Sequence, residues 1–134
     1  MVRMDAVYEG DLHTSSRHGP SGAELATDAP VDNQGRGESF SPTDLLVTAL
    51  GSCMMTIMGI AARDRGWAME GARVSLEKHM GEAPRRVARI VVRFDMPGGL
   101  PAEARGVLEE AARGCPVCRS LHPDIEIDRC FVWD

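Results

Sequence analysis

The sequence predicts a mixed α+β domain, and three observations carry that expectation. A long apolar run, residues 45–62, opens from a helix-start signal and closes on charged residues and a glycine. Two alternating stretches, "ARVSLEKHM" and "RVARIVVRFDM", flank the short turn "GEAPR" and read as a β-hairpin. An amphipathic helical stretch and a final alternating segment follow, without internal repeat, low-complexity tract or linker. The 134 residues are expected to form one domain, 1–134, burying about two-thirds of the unfolded surface.

Each element has its own reason. Residues 2–13 mix polar and apolar positions and suit a strand, with Val2, Met4, Ala6 and Tyr8 as its expected inward set. "TSSRHGPSG" reads as a turn or loop, and "AELATDAP" as a short strand. "VDNQGRGESF" is a second polar loop, carrying Arg36 and Glu38. The helix then starts at Ser41, a good N-cap, with Pro42 in the first helical position and Asp44 in the third. Asp44 also complements the positive end of the helix dipole. Leu46, Leu50, Cys53, Ile57 and Ala61 recur at helical spacing, and Leu45, Met54 and Met58 widen that face. A helix apolar over most of its circumference is expected to be central and buried. Arg63, Arg65 and Gly66 end it. After the hairpin, "PGGL" breaks the chain and "PAEARGVLEEAARG" forms an amphipathic helix. "CPVCRSLH" starts a further short helix with Pro116 first, and "DIEIDRCFVWD" is the closing strand.

Composition narrows the function. Lys and Arg number 15 against 20 Asp and Glu, a formal charge of −5, and the cations are spread along the chain. That pattern excludes an electrostatic nucleic-acid binder. The apolar run approaches the length of a membrane span. Gly51, Thr56 and the lack of charged anchors at both ends favour a packed core helix instead, so no membrane association is expected. The N-terminus has no apolar signal-peptide core, so a cytoplasmic setting with reduced thiols is expected. Aromatics are scarce, at 4%, so part of the burial is open to a partner chain.

The chemistry-bearing residues are thiols. Cys53, in "GSCMM", is either a small buried hydrophobe or a reactive sulfur that needs a cation nearby. Cys115, in "RGCPVCRSLH", precedes a proline at a helix start, close in sequence to Arg113 and Arg119. Three readings of that segment stand open. Cys115 and Cys118 could be a dithiol of C-x-x-C type. They could form half of a zinc site with His122 and Cys130. One of them could pair with Cys53. Cys118 lies one helical turn from Cys115 and Cys130 falls in a strand, so each can equally be a bystander.

The segments "SPTDLLVTALGSC", "EKHMGEAPRRVARIVVRF" and "AARGCPVCRSL", in this order and spacing, resemble the OsmC/Ohr family. These are the osmotically inducible and organic hydroperoxide resistance proteins, and the resemblance lies with an OsmC-like branch. It runs over nearly the whole chain. It implies antiparallel sheets packed around a long central helix, and an intertwined homodimer with two active sites at the interface. It also implies a thiol peroxidase without cofactor or metal. Cys53 would attack an organic hydroperoxide and become a sulfenic acid. Cys115 would then form a disulfide with it, and a dithiol reductant would restore the pair.

The resemblance further implies an arginine beside the peroxidatic thiol and an acid that orients it. Arg17, in "SSRHG", corresponds to the loop arginine of the Ohr branch. Arg36, in "QGRGE", lies where the OsmC branch carries its arginine, close to Glu38 and the helix start. Thr43 stands where the Ohr branch has its acid, whereas Asp44 matches the acid of other OsmC-like branches. The loosened pattern keeps an alternative in view: a non-enzymatic OsmC-like protein that senses redox state or holds an apolar ligand.

Overall fold

The computed structural model describes all 134 residues. The order is β1 (Met4–Gly10), β2 (His13–His18), β3 (Glu24–Asp28), a 3-10 turn at Val31–Asn33 and α1 (Pro42–Asp64). β4 (Arg73–Gly81), β5 (Arg86–Asp95), α2 (Ala104–Arg113), α3 (Pro116–Ser120) and β6 (Glu126–Val132) complete the α+β fold. Internal contacts divide the chain into two compact units, Met1–Leu46 and Val47–Asp134, with the boundary inside α1.

In the first unit β1, β2 and β3 form an antiparallel meander. The sequence reading places one strand over 2–13 and a loop after it. The structure instead turns the chain at Gly10, Asp11 and Leu12, all at positive φ, and continues as β2. The polar "HTSSRH" of β2 carries no apolar alternation, yet its backbone pairs on both sides. The expected inward set of the first strand is not buried within this chain: Val2, Met4, Ala6 and Tyr8 are all exposed. Thr27 and Asp28 at the end of β3 are buried. His13 Nδ1 meets Asp28 Oδ1 at 2.6 Å and ties β2 to β3. The loop after β3 closes tightly. A Cβ on Gly35 would lie 1.7 Å from the Ala29 carbonyl oxygen, so only glycine fits there.

The helix start matches its sequence signal. Ser41 Oγ accepts the Asp44 N–H at 3.0 Å, and Asp44 Oδ2 accepts the Ser41 N–H at 2.9 Å. Each side chain satisfies the other residue's orphan N–H, as in a capping box with Asp as the acid.

The second unit holds the core. Leu50, Met54, Met58, Ile90, Val92, Phe94 and Leu108 are fully buried. The buried stripe of α1 is Val47, Leu50, Gly51, Met54, Met58 and Ala62. Of the expected face Leu50, Met54 and Met58 are fully buried, Leu46 is exposed, and Leu45, Cys53, Ile57 and Ala61 lie at the border of the stripe. α1 is long and apolar enough to cross a membrane by length and composition, but this stripe is spent on the protein core.

β4 and β5 form the expected hairpin. Its register shifts between His79 and Met80, leaving Ala88 as the extra residue of a bulge. The shift lets both Val87 and Ile90 turn into the core, where strict alternation would separate them. β6 pairs with β5 in parallel, so this second sheet is mixed rather than wholly antiparallel. Phe94 and Phe131 are register partners and stack at 4.8 Å. α2 buries Ala104, Leu108 and Ala112, one residue per turn.

Candidate active site

Cys53 sits at the middle of α1, half-buried and packed against the core cluster. Its depth is set two residues earlier. A Cβ on Gly51 would come within 2.7 Å of Leu76 Cδ1 on β4, so the glycine lets helix and strand approach closely. Met54 beside it is fully buried.

Cys115 is wholly buried and is the N-cap of α3. Its Sγ accepts the backbone N–H of Cys118 at 3.3 Å. Pro116 follows in the first helical turn, where a missing N–H is harmless. The structure brings Cys53 and Cys115 to the same core cluster, near enough for Cys53 to act on the Cys115 thiol. Burial is the main cause that pushes the Cys115 thiol above the ordinary cysteine range, while the Cys118 N–H pulls the other way. The hydrogen bond with Cys53 and the charges on Cys53 and Cys118 push it further up. Cys115 is thus held as a thiol. All four cysteines are free.

The four other expected residues lie in the first unit. Arg17 is on β2 and lines a groove of about 310 Å³ with Met4, His18, Glu24 and Leu25. Arg36 Nη2 donates to Asp11 Oδ2 at 3.0 Å on the surface. Glu38 is exposed in the loop before α1. Asp44 serves the helix cap described above.

The zinc ligand set does not assemble. No group of three or more His, Cys, Asp or Glu side chains is placed to hold a metal. His122 and Cys130 are exposed.

One residue escaped the sequence reading. Arg129 of β6 donates from Nη2 to Cys118 Sγ at 3.1 Å. Its signal was present in "DIEIDRCFVWD". Ile125, Ile127, Phe131 and Trp133 alternate onto the core cluster, and Arg129 is the charged residue in that series.

The OsmC-like protein family profile matches residues 35–128, the span that holds α1, both thiols and the start of β6. The chain belongs to the OsmC-like family. No curated protein matches it. Among solved structures, this OsmC-like chain is similar to a candidate osmotic stress induced and detoxification response protein from Psychrobacter arcticus 273-4. That pair shares 42% identity over 100% of this chain and 96% of the other, at a TM-score of 0.91. The fold is shared more distantly with an OsmC-like protein from Mycoplasma pneumoniae, at 11% identity and TM-score 0.82, covering 99% and 96% of the two chains. It is also shared with the organic hydroperoxide resistance protein OsmC from Legionella pneumophila, at 13% identity and TM-score 0.77, covering 98% and 96%.

Proposed function

We propose that this OsmC-like protein is a cysteine-based thiol peroxidase that reduces organic hydroperoxides to alcohols. The observation that carries the reading is the gathering of two free thiols, Cys53 and Cys115, in one apolar core cluster. Cys53 attacks the distal peroxide oxygen, the O–O bond breaks, the alcohol leaves, and Cys53 becomes a sulfenic acid. Cys115 attacks that sulfur, water leaves, and a disulfide forms. The raised range of Cys115 suits the second role, since it keeps this thiol from competing for peroxide. An apolar surround favours a substrate with a hydrocarbon tail, by about 0.8 kcal/mol for each CH₂ buried. A dithiol then reduces the pair, and the chemistry needs no cofactor. The hydroperoxide resistance named for the Legionella pneumophila structure points the same way.

Arg17 or Arg36 stabilises the Cys53 thiolate in this reading, with Asp44 or Glu38 orienting the guanidinium. The protein works as a cytoplasmic homodimer. The exposed apolar residues of β1, Met4, Val7 and Tyr8 at 63–65% exposure, are the kind of surface a second copy would cover.

Stopped-flow oxidation by cumene hydroperoxide against hydrogen peroxide, followed by disulfide mapping, tests the reading. Fast oxidation with an organic preference is expected, lost in Cys53→Ser and limited to one turnover in Cys115→Ser. A Cys53→Ser protein that consumes cumene hydroperoxide at the parental rate would end it. A second reading, a non-enzymatic redox sensor or apolar-ligand binder, is favoured by the engagement of Arg36 with Asp11. Native mass spectrometry of the fresh protein separates the two: a retained apolar molecule with slow thiol oxidation supports the binder.

A further inference from the structure

The peroxidase reading uses two thiols, but a third sulfur and a guanidinium belong to the same cluster. Cys118 lies one turn after Cys115 on α3, half-buried against the core. Its N–H touches Cys115 Sγ, and its own Sγ accepts from Arg129. Arg129 shares the strand parity of Ile127 and Phe131, both packed on the core. Its Nε is buried and has no hydrogen-bond partner. A guanidinium in such a place is poorly solvated, and a neutral thiol is a weak acceptor. A cation held on a sulfur is what an attacking thiolate requires. Cys115, between the two other thiols, is closed to solvent. An external reductant therefore reaches the cluster through Cys53 or Cys118, not through Cys115.

We propose that Cys118 is a relay thiol, which takes the disulfide over from Cys53 and presents it to the reductant, with Arg129 as its positioning residue. The proposal rests on the peroxidase reading for the disulfide it receives. The Cys118 thiolate attacks Cys115 Sγ. The Cys115–Cys118 bond forms as the Cys53–Cys115 bond breaks, and the electron pair of the broken bond leaves on Cys53. The proton lost from Cys118 is made up at Cys53 from solvent, so nothing is oxidised or reduced overall. A dithiol then reduces the Cys115–Cys118 bond, becoming a disulfide itself and leaving two thiols on the protein. Cys53 is thereby free to meet a second hydroperoxide before the first disulfide has been removed.

The test uses the full chain, oxidised either by one equivalent of cumene hydroperoxide or by one equivalent of diamide, with disulfides mapped by mass spectrometry over time. With cumene hydroperoxide, Cys53–Cys115 should appear first and give way to Cys115–Cys118. The diamide sample should reach the same end state. Cys118→Ser should stop at Cys53–Cys115, oxidise at the parental rate in the first turnover, and turn over at least tenfold more slowly with dithiothreitol. A second equivalent of hydroperoxide should leave a dimedone-reactive sulfenic acid on Cys53 in the parent and none in Cys118→Ser. Arg129→Met should slow the exchange at least tenfold, and Arg129→Lys should restore part of it. Cys53–Cys115 as the end state under both oxidants overturns the relay, as does unchanged steady-state turnover in Cys118→Ser. Slow reaction with hydroperoxide, together with Cys53–Cys115 giving way to Cys115–Cys118 over time under diamide, removes the peroxidase reading and supports the exchange.

Discussion

Arg129 Nη2 lies 3.1 Å from Cys118 Sγ, and the Nε of the same guanidinium is buried without a partner. An arginine at this point of β6 is hard to explain by stability. An unmade hydrogen bond to a buried polar group costs about 1–3 kcal/mol, and a charge removed from water costs more. Replacement by an unbranched apolar residue of similar reach should therefore be neutral or stabilising. We expect Arg129→Met to keep or raise the urea midpoint while impairing thiol exchange. A loss above about 2 kcal/mol in Arg129→Met would mark the arginine as a structural residue instead.

The cap at the head of α1 is open to a test that also separates two roles of Asp44. Ser41 is almost wholly buried and exchanges two hydrogen bonds with Asp44. Ser41→Ala should cost about 0.5–2 kcal/mol in chemical unfolding. Asp44→Asn keeps an oxygen that can accept the Ser41 N–H and loses only the charge at the helix start, a change of about 0.3–1 kcal/mol. If Asp44 also orients the activating arginine, Asp44→Asn should slow cumene hydroperoxide consumption several-fold beyond what its stability change explains. An unchanged rate would confine Asp44 to capping.

The contrast between these two places says what sequence alone could carry. The start of α1 was legible because capping is local chemistry: Ser41, Pro42 and Asp44 act on backbone groups within one turn. The hairpin was legible because its alternation is local too. β2 was not, since "HTSSRH" has no apolar period and its pairing depends on strands on both sides. The buried face of α1 was read correctly at Leu50, Met54 and Met58 but centred too near Leu46 and Cys53. Nearly all sides of the helix are apolar, and the side that turns inward is set by packing, such as the close approach of Gly51 to Leu76. The two thiols stood out by residue type alone. Arg129 was passed over because a strand reading sorts residues by parity. Its meaning depends on Cys118, eleven residues earlier and on another element.

The α1 face gives a direct packing test. Leu50 has no exposed surface, whereas Leu46, one turn earlier, is 38% exposed. Leu50→Ala should cost about 2–5 kcal/mol, the usual range for a fully packed leucine. Leu46→Ala should stay within about 1 kcal/mol when the chain is dilute. Equilibrium unfolding at two protein concentrations checks both. A Leu46→Ala cost that grows with protein concentration would place this leucine under a second copy of the chain.

The His13–Asp28 pair gives the first unit a pH dependence whose sign can be worked out. The hydrogen bond to Asp28 is the largest cause raising the His13 pKa above its ordinary value of 6.5, with the charges of Asp28 and Glu9 adding to it. Partial burial and the charge of Arg36 oppose the rise. A histidine whose pKa is raised by folding binds its proton more tightly in the folded chain. The stability it contributes is complete below about pH 6.5 and is lost as the pH climbs through the higher, folded value. Urea midpoints from pH 5.5 to 8.5 should therefore fall with rising pH more steeply in the parent than in His13→Gln. The two curves should meet at the alkaline end. A histidine NMR titration should place the His13 midpoint above that of a free imidazole. A midpoint at or below 6.5, or parallel stability curves, would mean that the 2.6 Å contact with Asp28 does not hold the proton in solution.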